Sequence, residues 1–114
     1  MATAPTWLHV DGRRVAPIEL ATTPGARARG LLGRDHVDGA LLLAPASSVH
    51  AIGMRFAIDV ALCTAELEVL ATRTLRPGRL TWPRRRVRAV VEAAAGSFAA
   101  WGVDVGSRLS VERG

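Results

Sequence analysis

The chain has no lysine, asparagine or tyrosine, and a single cysteine, Cys63, in its 114 residues. One thiol excludes an intrachain disulfide, and the residues around Cys63 show no metal-binding spacing. The first ten residues carry neither a basic stretch nor an apolar one, so no signal peptide is expected. The longest apolar run, Ala40 to Ala46, is far short of the ~20 residues of a membrane span. These absences point to a protein that does not enter a membrane and to a cytoplasmic setting. Long polar tracts are missing too. With 49% hydrophobic and 22% charged residues, the chain can build one core rather than remain disordered. Its length suits one domain over residues 1–114.

What is abundant is arginine, which supplies all fifteen basic residues against ten acidic ones, for a formal net charge of +5. The wealth of Ala, Gly, Val, Leu and Arg follows codons rich in G and C, so the missing lysine carries no functional message. The surplus of positive charge does call for an anionic counterpart or a solvated face.

Turn and alternation signals order the chain. Thr6–Val10 and Arg13–Leu20 read as strands joined by Asp11-Gly12, a pair suited to a type I′ hairpin. Thr22 or Thr23 is placed to cap a short helix from Pro24 to Leu32, with Gly33 as its stop. Gly39–Pro45 reads as a buried strand, Val49–Met54 as extended, and Ile58–Cys63 as a strand returning through Thr64–Glu66 into Leu67–Leu75. Arg76-Pro77-Gly78-Arg79 is a turn. Val90–Glu92 is strand-like, Ser97 caps a helical turn through Trp101, and Arg108–Glu112 closes the chain. Trp7, Trp82 and Trp101 are expected in the core. The expectation is a mainly β domain, a compact sandwich or small barrel of seven to eight short strands with one or two short helices.

The order of motifs is similar to that of a known family. Arg27-Ala28-Arg29-Gly30-Leu31-Leu32-Gly33-Arg34 opens it, Ser48-Val49-His50, Gly53-Met54-Arg55-Phe56 and Ile58-Asp59-Val60 form its centre, and Val90-Val91-Glu92 with Ala95-Gly96 follows. The chain from about Ala21 to Val111, after an N-terminal hairpin at 6–20, resembles the prokaryotic family called domain of unknown function 192. That resemblance implies a compact, mainly β fold and no particular activity.

Chemistry concentrates between Ser47 and Asp59. Ser48, His50 and Asp59 are the residue types of a hydrolytic triad, but no Gly-x-Ser-x-Gly elbow accompanies them. The leading expectation is a non-enzymatic module that binds a small ligand or a protein near His50, Met54, Arg55 and Asp59, with Arg34 and Glu92 contributing. The alternative is a small enzyme using His50 with Asp59 or Glu92 as acid and base. Asp59 is read either as a buried acid paired with Arg55, Arg34 or Arg76 or as an exposed one. His9, His36 and His50 stand singly, so neither a metal nor a cofactor is expected. A third reading places phosphates along Arg84, Arg86 and Arg88 on one face of a strand, although aromatic interleaving is thin and nucleic acid is not the favoured partner. The sequence gives no oligomeric state.

Overall fold

The computed structural model describes residues 5–114. The hairpin forms as its turn residues dictate. Asp11 (φ 50°) and Gly12 (φ 82°) both take positive φ, which a type I′ turn requires, between β1 (Thr6–Val10) and β2 (Arg13–Ala21). β3 (Ala40–Leu43) then lies parallel to β2, so the chain must cross over between them. That crossover carries α1 (Pro24–Arg29), whose N-cap Thr23 accepts a hydrogen bond from Ala26 N at 3.2 Å. The helix stops at Gly30 (φ 50°, ψ −129°), three residues earlier than its sequence suggests, because that glycine turns the backbone down onto the sheet.

β4 (Ile58–Cys63), β5 (Val69–Leu75), β6 (Ala89–Ala94) and β7 (Leu109–Arg113) complete one seven-stranded sheet in the order β5-β4-β6-β3-β2-β1-β7. α2 (Ser97–Trp101) follows β6. The sheet rolls until its two ends meet: Glu68 and Arg108 form a bridge, Val69 N donates to Ser107 O and Leu109 N to Leu67 O. The expected mainly β, barrel-like architecture with two short helices is therefore observed. Among the described residues no helix is long and apolar enough to cross a membrane.

Both faces of the central strands are buried, which explains why β4 reads as an apolar run, broken by Asp59, rather than an alternation. Inside the roll, Ala61 and Cys63 of β4 join Leu8, Val91 and Phe98. On the outer face, Val60 and Leu62 join Leu31, Leu41, Leu43, Met54 and Val90 beneath the crossover and the loops. Cys63 is fully buried, and burial pushes its thiol up to about 12, so it behaves as a core residue.

Three local expectations are corrected. Val49–Met54 is loop, tied to the 78–81 segment by one bridge between His50 and Leu80. Arg84–Arg88 is not a strand. It makes a turn in which Val87 N donates to Arg84 O, and β6 starts only at Ala89, opposite the last residue of β4, Cys63. Upstream of that point the run has no partner strand to extend a ladder, so Arg84, Arg86 and Arg88 do not share a strand face. Trp82 is no core residue, being 78% exposed, whereas Trp7 and Trp101 are half-buried.

Candidate functional site

The two carboxylates singled out by sequence sit on opposite faces of the sheet. Asp59 lies across from Ala93, and Val60 lies across from Glu92. Because side chains alternate along a strand, Asp59 points into the roll and Glu92 points to the outer face.

Asp59 is 5% exposed and serves the fold. Its Oδ1 accepts from Thr74 Oγ1 at 2.8 Å, while its Oδ2 accepts from Gly96 N at 2.9 Å and Phe98 N at 3.1 Å. Gly96 is the N-cap of α2 and has no side chain to offer, so Asp59 supplies the capping oxygen from a neighbouring strand. Ser97, expected as the cap, is the first helical residue instead. Of the two readings of Asp59, neither the exposed acid nor the arginine pair is found among the described residues: it is buried and has no arginine partner. Arg34 makes a bidentate pair with Glu19, at 2.6 and 3.1 Å, which holds the Glu19 carboxyl below its ordinary range. Arg55 bonds Asp35 at 2.6 Å. Both pairs are exposed and worth under about 1 kcal/mol each. Ser48, His50 and Asp59 therefore cannot form a triad.

Glu92 is different. It is 2% exposed, and its cross-strand neighbours on the outer face are Leu41 and Val60. Its Oε1 is buried and, among the described residues, has no hydrogen-bond partner. Burial without compensation raises its pKa from 4.5 to about 7. The Oε1 atom lies beneath Gly30, where a Cβ would come within 3.0 Å of it. Any residue other than glycine at that position would crowd the carboxyl and would be held at an unfavourable positive φ.

Above Glu92 is a cavity of about 130 Å³. Gly30 and Leu31 cover it from the crossover, Leu43 lines it from β3, and Ser48, His50 and Met54 line it from the 48–54 loop. His50 is fixed there from below: Ile52 N donates to its Nδ1 at 3.3 Å, Val49 N donates to Thr81 Oγ1 at 2.9 Å, and Ala51 N donates to Arg79 O. Arg27 and Arg29 of α1 stand at the edge, beside the exposed Leu32 and Ile52. Thus the structure brings together His50, Met54 and Glu92 of the six candidates, and leaves Asp59, Arg55 and Arg34 elsewhere. Arg34 borders a wider surface groove of about 480 Å³ with Glu19, Pro17 and Val37. That groove is larger but holds its charged groups already paired, so the smaller cavity is the better site. Gly30 and the Arg27–Arg29 pair were the missed members. The signal that could have found them is the glycine inside a helix-like pattern, a position that marks a close approach of backbone to another group. No three His, Cys, Asp or Glu side chains converge among the described residues.

Comparison with known proteins bears on the fold and the lineage. The family model DUF192, described as an uncharacterized ACR, matches residues 6–111, so the β1–β2 hairpin is part of the matched region. A UPF0127 protein of Pyrococcus furiosus is 39% identical over 67 residues. The match covers 59% of this chain and spans only 58% of that relative's length. Two crystal structures share the fold. A protein of unknown function from Novosphingobium aromaticivorans superposes with a TM-score of 0.77 at 17% identity, over 93% of this chain and 83% of that one. A candidate transcription regulator from Sinorhizobium meliloti gives 0.78 at 20% identity, over 97% of both chains.

Proposed function

The chain belongs to the DUF192 family, and within that uncharacterised family we propose that it is a binding module for a small molecule that presents a hydrogen-bond donor to Glu92. One observation carries this reading: the carboxyl of Glu92, whose buried Oε1 has no partner among the described residues, is part of the lining of a cavity. An unpaired buried acceptor costs roughly 1–3 kcal/mol, and a ligand N–H or O–H would remove that cost. The volume corresponds to about four water molecules, so the bound group is small, or is the tip of something larger. Ser48 and His50 add polar contacts and Met54 an apolar wall, the composition expected of a site that orients a compact ligand.

The test is a thermal-shift screen with small alcohols, amines, amides and sugars, run on the wild type and on Glu92→Met. A ligand at 100 times its dissociation constant should add about 2.7 kcal/mol to the wild type. Glu92→Met, of similar volume and apolar, should be more stable without ligand and should not respond to it. A response that survives in Glu92→Met would remove Glu92 from the site. A second reading has its own support. An acid with a pKa near neutrality that shares a cavity with a histidine suits proton transfer. Turnover of a bound compound that is lost in Glu92→Gln would favour it over simple binding.

A further inference from the structure

We propose that the loop following β5 forms a binding surface for single-stranded nucleic acid, with Trp82 as its stacking platform. Seven of the chain's fifteen arginines lie between Arg73 and Arg88, and no Asp or Glu occurs from Val69 to Val91. Among the described residues none of these arginines pairs with a carboxylate, since the arginine ion pairs are Arg34 with Glu19 and Arg55 with Asp35. The overall charge of +5 is therefore concentrated here, on a stretch that is almost wholly exposed.

Charge alone would fit any polyanion. The groove beside it narrows the choice. A depression of about 360 Å³ is lined by Leu62, Leu75, Leu80 and Trp82, with Arg73 and Arg84 among its walls. Trp82 is 78% exposed and Leu80 43%, so the indole face is free for a planar group. The loop bearing them is not loose: Gly78 N donates to Ala51 O and Thr81 N to Val49 O, which holds the segment against the 49–51 loop. An exposed indole next to an anchored segment, an apolar floor and flanking guanidinium groups match a base beside its phosphates. A base stacks on an aromatic face whatever its identity, so the surface is sequence-tolerant. A duplex hides its base faces and could not use the indole. An anionic membrane would favour apolar residues on a protruding tip, and here they line a depression. This surface is separate from the Glu92 cavity and does not depend on a ligand there.

The experiment is fluorescence anisotropy of the full chain with fluorescein-labelled dT12 and U12, at salt concentrations from 50 to 300 mM. Binding should weaken with salt at a log–log slope of about −0.7 per phosphate contacted. Trp82→Ala should weaken it about 5- to 150-fold at fixed salt, and Trp82→Phe should keep most of it. The triple variant R84S/R85S/R86S should flatten the slope by about 2 for three lost contacts. All of these positions are exposed, so the variants should fold, and circular dichroism would verify it. Equal affinity for a duplex of the same length would overturn the proposal, as would unchanged affinity in Trp82→Ala. So would the absence of oligonucleotide binding at 50 mM salt, with or without binding to phosphatidylserine vesicles.

Discussion

Substituting Glu92 by glutamine gives a pH experiment whose sign and size follow from the structure. In the unfolded chain the carboxyl ionises near 4.5, whereas burial between Leu41 and Val60 raises it to about 7 in the fold. Between those values the folded state holds a proton that the unfolded state has released. Stability must then fall as pH rises, by up to ~1.4 kcal/mol per pH unit, and level off above pH 7. The whole shift is worth about 3 kcal/mol, a large part of the 5–15 kcal/mol that holds a typical domain together. Glutamine cannot ionise, so Glu92→Gln removes this dependence and leaves every other titrating group in place. Urea unfolding followed by tryptophan fluorescence at half-unit steps from pH 4.5 to 8 would measure both proteins. The difference, variant minus wild type, should grow in favour of the variant by about 3 kcal/mol across the window. At a urea slope of 1–3 kcal/mol/M, that separates the midpoints by roughly 1–3 M. A difference that stays flat from pH 4.5 to 8 would mean that Glu92 ionises normally, and the idea of an uncompensated carboxyl would fail.

Other substitutions test neighbouring claims. Asp59→Ala strips the hydroxyl of Thr74 and the N–H groups of Gly96 and Phe98 of their acceptor, and should cost roughly 2–3 kcal/mol in denaturant unfolding. It should leave the ligand response of the Glu92 cavity unchanged, and a lost response in folded protein would contradict the assignment of Asp59 to the fold. Gly30→Ala should destabilise the fold by about 1 kcal/mol or more and block ligand entry, because its Cβ crowds Glu92 Oε1. A calorimetric titration equal to wild type would show the cavity tolerating it. Cys63 should not react with an aromatic disulfide reagent at pH 8 until the protein unfolds, so labelling should track urea unfolding.

Strands with local signals were legible in the sequence. Asp11-Gly12 specified its hairpin, and the six residues from Ile58 to Cys63, apolar except for Asp59, declared a strand. The site was legible only in part. His50 and Met54 stood close in sequence, and Glu92 was conspicuous among Val and Ala, so these three could be nominated. What the sequence did not carry was register. Whether Asp59 and Glu92 share a face depends on β4 and β6 pairing Val60, rather than Asp59, with Glu92. A shift of one residue would have put them together. Glu19 and Asp35 took Arg34 and Arg55 for the same kind of reason, since exposed pairs form wherever the crossover and loops deliver a partner. The arginine run failed as a strand because a ladder needs a neighbour, and β4 ends where the run does.

The parallel pairing of β2 with β3 has a consequence for how such a site can diversify. Two parallel neighbours cannot be joined by a tight turn, so the passage from Thr22 to Gly39 is required by the wiring of the sheet. The same passage supplies Gly30 and Leu31, the lid of the Glu92 cavity. Roof and tether are one piece of chain. An insertion could lengthen that passage at small cost, but a deletion deep enough to uncover the carboxyl would also untie β2 from β3. New specificity on this scaffold is therefore open to replacement of side chains around the cavity, and closed to removal of its cover.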